Sequence, residues 1–300
     1  MSGRYAESKK RPAAMPSRAN ERRALRSMKT MTEEAGGTAR RVAWVTGASR
    51  GVGRGIAAAL GAAGWAVYVT ARSSAAGRTG HLPGTVEEVA AAVTAAGGQG
   101  AGIVCDHADD AAVATVAHRI RDEQGRLDLL VNNVWGGYER INAGLWEESR
   151  LPLWEQPVEV FDAMFTRGVR AHYVALAVCA PMLISTPASL VVTVSNAVPA
   201  DGDGGGAYAM AKLADDRLAL TAALQLEQHK VASVALHPGW VRTEGVMQFA
   251  QYLDLSQSQS PEGVGRAVAA LADDPDVLTL TGQALPVDAL ATRYGIDVSS

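Results

Sequence analysis

Only two cysteines, Cys105 and Cys179, occur in 300 residues. That excludes a disulfide framework and a cysteine-built zinc site, and it sets the expectation of a reducing, cytoplasmic location. Glycine (31) and proline (12) are too sparse for a collagen-like or low-complexity chain. Long apolar runs are also missing. The stretch from Tyr173 to Ile184 stops short of the roughly 18 to 20 residues that span a bilayer, so no membrane association is expected. His107, His172 and His237 lie far apart without metal-ligand spacing; each reads as a packed or surface histidine, and no metal is expected. What is present is 48% hydrophobic and 20% charged, material for a sizeable core with no 20–50-residue repeat.

The net charge of −3 joins two unlike parts. Residues 1–41 hold eleven Lys or Arg against four acids, a charge of +7, which leaves −10 for the rest. Residues 1–40 show no apolar period and bury too little to offset their ordering entropy, so they read as a basic extension, disordered or loosely helical. A solvated tail, an Arg-rich transit peptide and a basic arm for nucleic acid or anionic lipid all stay open. So do later starts at Met15, Met28 or Met31. The acidic body argues against an extended nucleic-acid footprint, and no nucleic-acid partner is expected.

From Arg41 onward, short apolar runs alternate with Ala-rich stretches, the pattern of βαβ units in a parallel sheet. Strands are predicted at 42–46, 66–70, 100–105, 127–132, 190–195, 231–237 and 281–286. Helices are predicted over 53–63, 86–96, 111–124, 158–184, 208–229 and 261–272. The alternation continues past Gly239, so residues 41–300 are read as a single α/β domain. Cys105 and Cys179 sit in apolar runs as small core residues. Residues 244–260 read as a mobile lid.

Between the first strand and helix stands Thr46-Gly47-Ala48-Ser49-Arg50-Gly51-Val52-Gly53. Glycines there let backbone amides at a helix N-terminus approach a pyrophosphate. With Tyr208-Ala209-Met210-Ala211-Lys212 and Ser195 thirteen residues before Tyr208, this turn resembles the motif set of the classical short-chain dehydrogenase/reductases. Asp106, Asn132-Asn133 and His237-Pro238-Gly239-Trp240-Val241-Arg242-Thr243 fall in that family's order. Residues 82–88, 105–107 and 168–173 are similar to the branch that includes dehydrogenase/reductase family member 1. The resemblance implies a Rossmann-like doubly wound parallel sheet flanked by helices in three layers. It also implies a nicotinamide cofactor, held by Gly47, Ser49, Arg50, Gly51, Val52, Gly53, Asp106, Asn132, Tyr208, Lys212, Pro238, Gly239, Val241 and Thr243. A homodimer or homotetramer is implied in the same way.

At the end of the second strand, where NAD-preferring members carry an Asp, this chain has Ala71 followed by Arg72. With Arg50 nearby, the reading is NADP(H). Tyr208 and Lys212, spaced i, i+4, share a helix face. Tyr208 is then the expected acid/base, Lys212 the cation that stabilises its phenolate and brings the phenol toward the working range, and Ser195 the donor to the substrate oxygen. The expected substrate is a small to medium, fairly apolar carbonyl or secondary alcohol. Trp135, Tyr138, Trp146 and Trp154 cluster after the fourth strand, either lining an apolar pocket or packing the loop. Two departures, Val134-Trp135 after the Asn pair and Gly168 where the family usually has an Asn, keep a second reading open: an NADP(H) sensor or interaction protein with little turnover.

Overall fold

Strands β1 (Val42–Thr46), β2 (Ala66–Ala71), β3 (Gln99–Val104), β4 (Leu129–Asn132), β5 (Leu190–Val194), β6 (Ala232–His237) and β7 (Ala284–Pro286) pair in parallel in the order β3-β2-β1-β4-β5-β6-β7. The computed structural model describes residues 40–137, 151–198 and 206–300, of which Arg40–Ser300 forms one compact unit. The expectations for residues 1–39 fall outside the described residues. Every position of β1, β2, β4 and β5 is buried. Such strands are covered on both faces, which is why they read as apolar runs without alternation.

Helices cover the two faces. On one side Ala43 and Val45 of β1 join Ile56 and Leu60 of α1 (Gly51–Ala62), Val89 of α2 (Val86–Ala95), and Val268 and Leu271 of the C-terminal helix over Pro261–Asp273. On the other, Val42 and Trp44 join Ile120 of α3 (Asp110–Gln124) and Cys179 and Leu183 of a long helical segment. Successive β1 side chains thus feed opposite layers, as a period of two requires. The result is the expected three-layer, Rossmann-like arrangement. Both cysteines are buried, and burial pushes the Cys105 thiol up to about 12, so they are unreactive core residues.

Local signals set the helix ends. Thr85 and Glu88 form a capping box on α2, Asp109 caps α3, and Ser260 followed by Pro261 starts the C-terminal helix, each meeting amides that the first turn leaves without partners.

Three features differ from the sequence reading. The long helix is composite: α4 (Val158–Met164), a wider π-helical turn over Phe165–Arg170 holding Gly168, and α5 (Ala171–Ser185). This 28-residue run is long and apolar enough to cross a membrane by composition, more than the sequence stretch suggested, yet its residues Ala171, His172, Ala175, Cys179, Met182 and Leu183 are buried in this fold. After α6 (Ala207–Leu226), the lid is built rather than structureless. It contains α7 (Glu244–Met247) and a 3₁₀ turn over Ala250–Tyr252, and Gln259 pairs back on Val241. With the helix over Pro261–Asp273 as α8, a final helix α9 (Val287–Tyr294) follows β7; only Val287 and Leu290 of it are buried, too little apolar period for a sequence reading to find.

Candidate active site

The site gathers at the carboxyl ends of the central strands, beside the β1/β4 junction where strand order reverses. Open parallel sheets leave a ligand crevice at that point. Thr46 organises it. Its hydroxyl donates to the Val131 carbonyl (3.1 Å) and accepts from the amides of Asn133 (2.9 Å) and Val134 (3.1 Å). The Asn133 side chain then donates to the carbonyls of Thr46 (2.8 Å) and Gly47 (3.1 Å). Gly47 has φ +64, and a Cβ there would lie 2.6 Å from Val134 Cα. At Gly53 it would lie 2.4 Å from Asn133 Nδ2. Neither position tolerates a side chain.

This turn has the chemistry to receive an anion. Arg50 caps α1 with no side-chain bond, and the Gly51 amide is met by Glu244 Oε2 at 2.8 Å. A carboxylate already sits at the positive end of the helix. Ser49 is buried and Val52 packs on the core. Arg50 donates to Ser73 Oγ at 2.7 Å; burial lowers its pKa, Glu244 opposes that, and Arg72 and Arg78 add to it. Three cations crowded at the end of β2 suit a phosphate. Asp106 at the end of β3 accepts from the Ala108 amide (3.0 Å) and stays partly exposed. Beyond β6, Pro238 is buried, Gly239 takes φ +67, and Val241 is buried against Gln259. Thr243 caps α7 and lies 3.3 Å from where a Gly51 Cβ would stand, so it borders the cradle.

One cofactor assignment is corrected. Asn132 is fully buried, opposite Thr193 in the β4–β5 register, with neither side-chain polar atom partnered among the described residues. Fully buried, it does not open to the crevice, and Asn133 is the residue that shapes the turn.

Tyr208 and Lys212 lie one turn apart on α6. Lys212 Nζ sits 3.7 Å from the centroid of the Trp135 ring and 3.2 Å from Asp215 Oδ2. Asp215 Oδ1 in turn meets His172 Nδ1 at 2.9 Å, and His172 Nε2 meets the Val134 carbonyl at 2.9 Å. A carbonyl only accepts, so Nε2 carries hydrogen and one proton lies between His172 Nδ1 and Asp215 Oδ1. Burial lowers the Lys212 pKa, with Asp215 working against it. Burial raises the Asp215 carboxyl, and His172 and Lys212 outweigh it, leaving it below the usual carboxylate range.

Two expectations about this pair change. The Tyr208 phenol is raised, not lowered: burial dominates, while Asn196 pulls the other way. The ammonium is engaged with Asp215 and the indole, 6.0 Å from the Tyr208 ring centroid. Ser195 lies just after β5. It is only 3% exposed, and its hydroxyl donates to the Lys212 main-chain carbonyl at 2.9 Å. The side chain on the Tyr208 hydroxyl is Asn196, whose Nδ2 donates at 3.1 Å.

Of the aromatic loop, Trp135 packs edge-on to Tyr208 (5.8 Å, 86°), Trp154 is exposed, and Tyr138 and Trp146 lie outside the described residues. Sequence reading named Asn133 only as part of the Asn pair and His172 only as a packed or surface residue, and it missed Asp215, Asn196 and Glu244. Asp215 was the findable one, three residues after Lys212 and therefore on its helix face.

A seven-stranded parallel sheet with a glycine cradle at its switch point and a Tyr–Lys pair facing it defines a dinucleotide-dependent class. The chain belongs to the short chain dehydrogenase family, whose model matches residues 41–253. It is 36% identical over 266 residues to mouse dehydrogenase/reductase SDR family member 1, covering 84% of this chain and 81% of that protein. Among solved structures it is similar to a metagenomic short-chain oxidoreductase in complex with NADP (29% identity, TM-score 0.61, 79% of this chain and 92% of that one). It is also similar to a Brucella melitensis 3-oxoacyl-[acyl-carrier protein] reductase in complex with NAD (25%, TM-score 0.70, 84% and 97%).

Proposed function

We propose that this chain is an NADP(H)-dependent oxidoreductase that interconverts a carbonyl and a secondary alcohol on a small to medium, apolar molecule. The observation carrying the reading is the Tyr208 hydroxyl, held by Asn196 and paired along one helix face with Lys212, at the strand ends that bear the glycine cradle. The cofactor supplies hydride chemistry. Gly47, Gly51 and Gly53 with the α1 amides would hold its pyrophosphate, Asp106 its adenine, and Arg50 and Arg72 a 2′-phosphate. The NADP complex of a similar protein supports the last point alongside the arginines.

Tyr208 delivers a proton to the substrate oxygen in reduction and takes one in oxidation. Its raised pKa keeps that proton on at neutral pH, which suits the acid role. Asp215 and the Trp135 ring hold Lys212 and offset the cost of burying its charge.

A second reading, cofactor binding with little turnover, draws on the same Lys212 contacts, which hold the ammonium away from the phenol. A carbonyl panel followed at the NADPH absorbance band, with Tyr208→Phe as control, separates the two. Tyr208-dependent oxidation of NADPH supports the enzyme. NADPH binding without turnover of any carbonyl supports the alternative.

A further inference from the structure

We infer that His172 is a positioning residue of this site: it fixes the Asp215 carboxylate that holds Lys212, and it is itself anchored on the main chain of Val134. The inference rests on the oxidoreductase reading and adds to it a residue that acts through another.

The contacts run in one line from the sheet to the ammonium. The Val134 amide donates to Thr46 Oγ1 at 3.1 Å, and Val134 Cα stands 2.6 Å from where a Gly47 Cβ would lie, so this main chain has little freedom. Its carbonyl meets His172 Nε2 at 2.9 Å. His172 is the second residue of α5, directly after the π-helical turn, and its Nδ1 meets Asp215 Oδ1 at 2.9 Å. Asp215 Oδ2 accepts from Lys212 Nζ at 3.2 Å. His172 is 1% and Asp215 0% exposed, which shields the bond between them from water.

A carboxylate has two accepting oxygens and a broad terminal torsion. With Oδ1 held by His172, only Oδ2 is left to the ammonium. Were Oδ1 released, the carboxylate could turn and draw Lys212 with both oxygens, or keep one oxygen buried without a donor. Either outcome shifts the ammonium relative to Tyr208, whose ring centroid lies 6.0 Å away. The remaining partners of the ammonium, the Trp135 ring at 3.7 Å and the Val194 carbonyl at 3.5 Å, do not set the carboxylate. Gly168, where the resemblance places an asparagine, has no side chain to give. His172, four residues on, is a side chain that this helical run bonds to the main chain after β4.

The ionisable groups around the carboxylate are Lys212 and Tyr208 on its own helix and His172 from α5, with Asp216 acting on Lys212 and His107 beside His172. Burial pushes the Asp215 carboxyl up, and His172, by charge and hydrogen bond, works with Lys212 to bring it down. Loss of His172 therefore raises it.

The test separates the two bonds of the ring. The amide nitrogen of Asn is attached to Cγ, as Nδ1 is, and that of Gln lies one atom further out, as Nε2 does. His172→Asn thus keeps a donor for Asp215, His172→Gln keeps one for Val134, and His172→Phe removes both. Misplacing a group by about 1 Å costs up to about 10²-fold. With a carbonyl that the wild type reduces, His172→Gln and His172→Phe are expected to lower kcat at least about tenfold with NADPH affinity and substrate KM nearly unchanged, and His172→Asn to keep several times more. The acid limb of the pH–rate profile should move to higher pH in His172→Gln, because activity needs an ionised Asp215. Since His172 acts through Asp215, His172→Gln should cost little more in an Asp215→Asn background. Independently of turnover, carbon-13 NMR follows the Asp215 carboxyl, identified by its loss in Asp215→Asn, and its transition should move upward in His172→Gln. Should the Phe variant fold poorly, the Asn and Gln variants still carry the comparison. Equal kcat losses in folded His172→Asn and His172→Gln, an undiminished loss in the Asp215→Asn background, or a carboxyl transition indifferent to His172 overturns the assignment. If the wild type reduces no carbonyl, the oxidoreductase reading fails, and the carboxyl titration still decides whether His172 holds Asp215.

Discussion

The Trp135 ring lies on the α-carbon of Gly168: a Cβ at that glycine would come within 2.7 Å of Cζ3 and 2.8 Å of Cε3. Where the family resemblance would place an asparagine, this chain keeps a floor for an indole that also meets the Lys212 ammonium, 3.7 Å from the ring centroid, and the Tyr208 ring. The two departures noted in the sequence are one substitution in space.

Restoring asparagine at Gly168 is therefore expected to harm rather than help. Gly168→Asn drives a side chain into the indole, and such overpacking typically costs about 1–3 kcal/mol. Displacing the ring also strips the cation–π contact from Lys212. Gly168→Asn should lower both denaturant midpoint and kcat, and it should cost much less stability when added to Trp135→Ala than when added to the wild type. A single Gly168→Asn variant with wild-type midpoint and higher kcat contradicts the packing argument.

Asp215 meets two buried groups, the Lys212 ammonium and the His172 ring. Removing one partner of a buried charged cluster leaves the others uncompensated, at about 3–5 kcal/mol. Asp215→Ala should show that loss in equilibrium unfolding. Asp215→Asn keeps the shape and removes the charge, so Lys212 loses the partner that opposes its burial and its pKa falls further. The alkaline limb of the pH–rate profile should move to lower pH in Asp215→Asn and move less in Asp216→Asn, whose carboxylate pairs with His237 at 2.9 Å and acts on Lys212 through charge alone. An unmoved limb in both variants would detach Asp215 from the site.

Acid stability carries the same signature. The Asp215 carboxyl is held below its ordinary range in the fold. A depressed carboxyl contributes stability that is present above its unfolded pKa, near 3.9, and is lost as pH falls through the folded value. Wild type should therefore lose stability below about pH 4 more steeply than Asp215→Asn, as followed by denaturant midpoints across that range. Parallel curves would remove Asp215 from the account.

The architecture and the turn were legible because they rest on local rules. Short apolar runs mark β1, β4 and β5, and the spacing of Gly47, Gly51 and Gly53 marks the turn. Even the i, i+4 placement of Tyr208 and Lys212 needs only a helix. What escaped depends on direction and distance. Ser195 and Asn196 are adjacent just after β5, and spacing does not tell which of them meets the Tyr208 hydroxyl. His172 reaches Asp215 from another helix, 43 residues away in sequence. Asn132 and Asn133 part in a similar way: one is fully buried and the other bonds across the turn.

Cofactor choice is checked at Arg72. A charge-assisted bond to a phosphate contributes about 1.5–3 kcal/mol, so Arg72→Ala should weaken NADPH binding by roughly 10- to 100-fold and leave NADH nearly unchanged. Side-by-side titrations measure the ratio. A wild type that binds NADH more tightly, or an Arg72→Ala variant that weakens both equally, rejects the NADP(H) preference.

Glu244 gives a prediction with opposed signs. Its carboxylate accepts from the Gly51 amide at 2.8 Å and pairs with Arg54 at 3.2 Å, so in the free protein it serves as the anion at the start of α1. A cofactor pyrophosphate carries the same charge and seeks the same amides, and one of the two must yield. Glu244→Ala should therefore tighten NADPH binding severalfold, since no carboxylate has to be displaced. The same change removes a favourable charge at a helix N-terminus, which contributes about 0.3–1 kcal/mol, so the unliganded variant should unfold earlier. Calorimetric titration and thermal unfolding measure the two. Weaker binding together with lower stability would mean that Glu244 supports the cradle in the bound state as well, and that no exchange takes place.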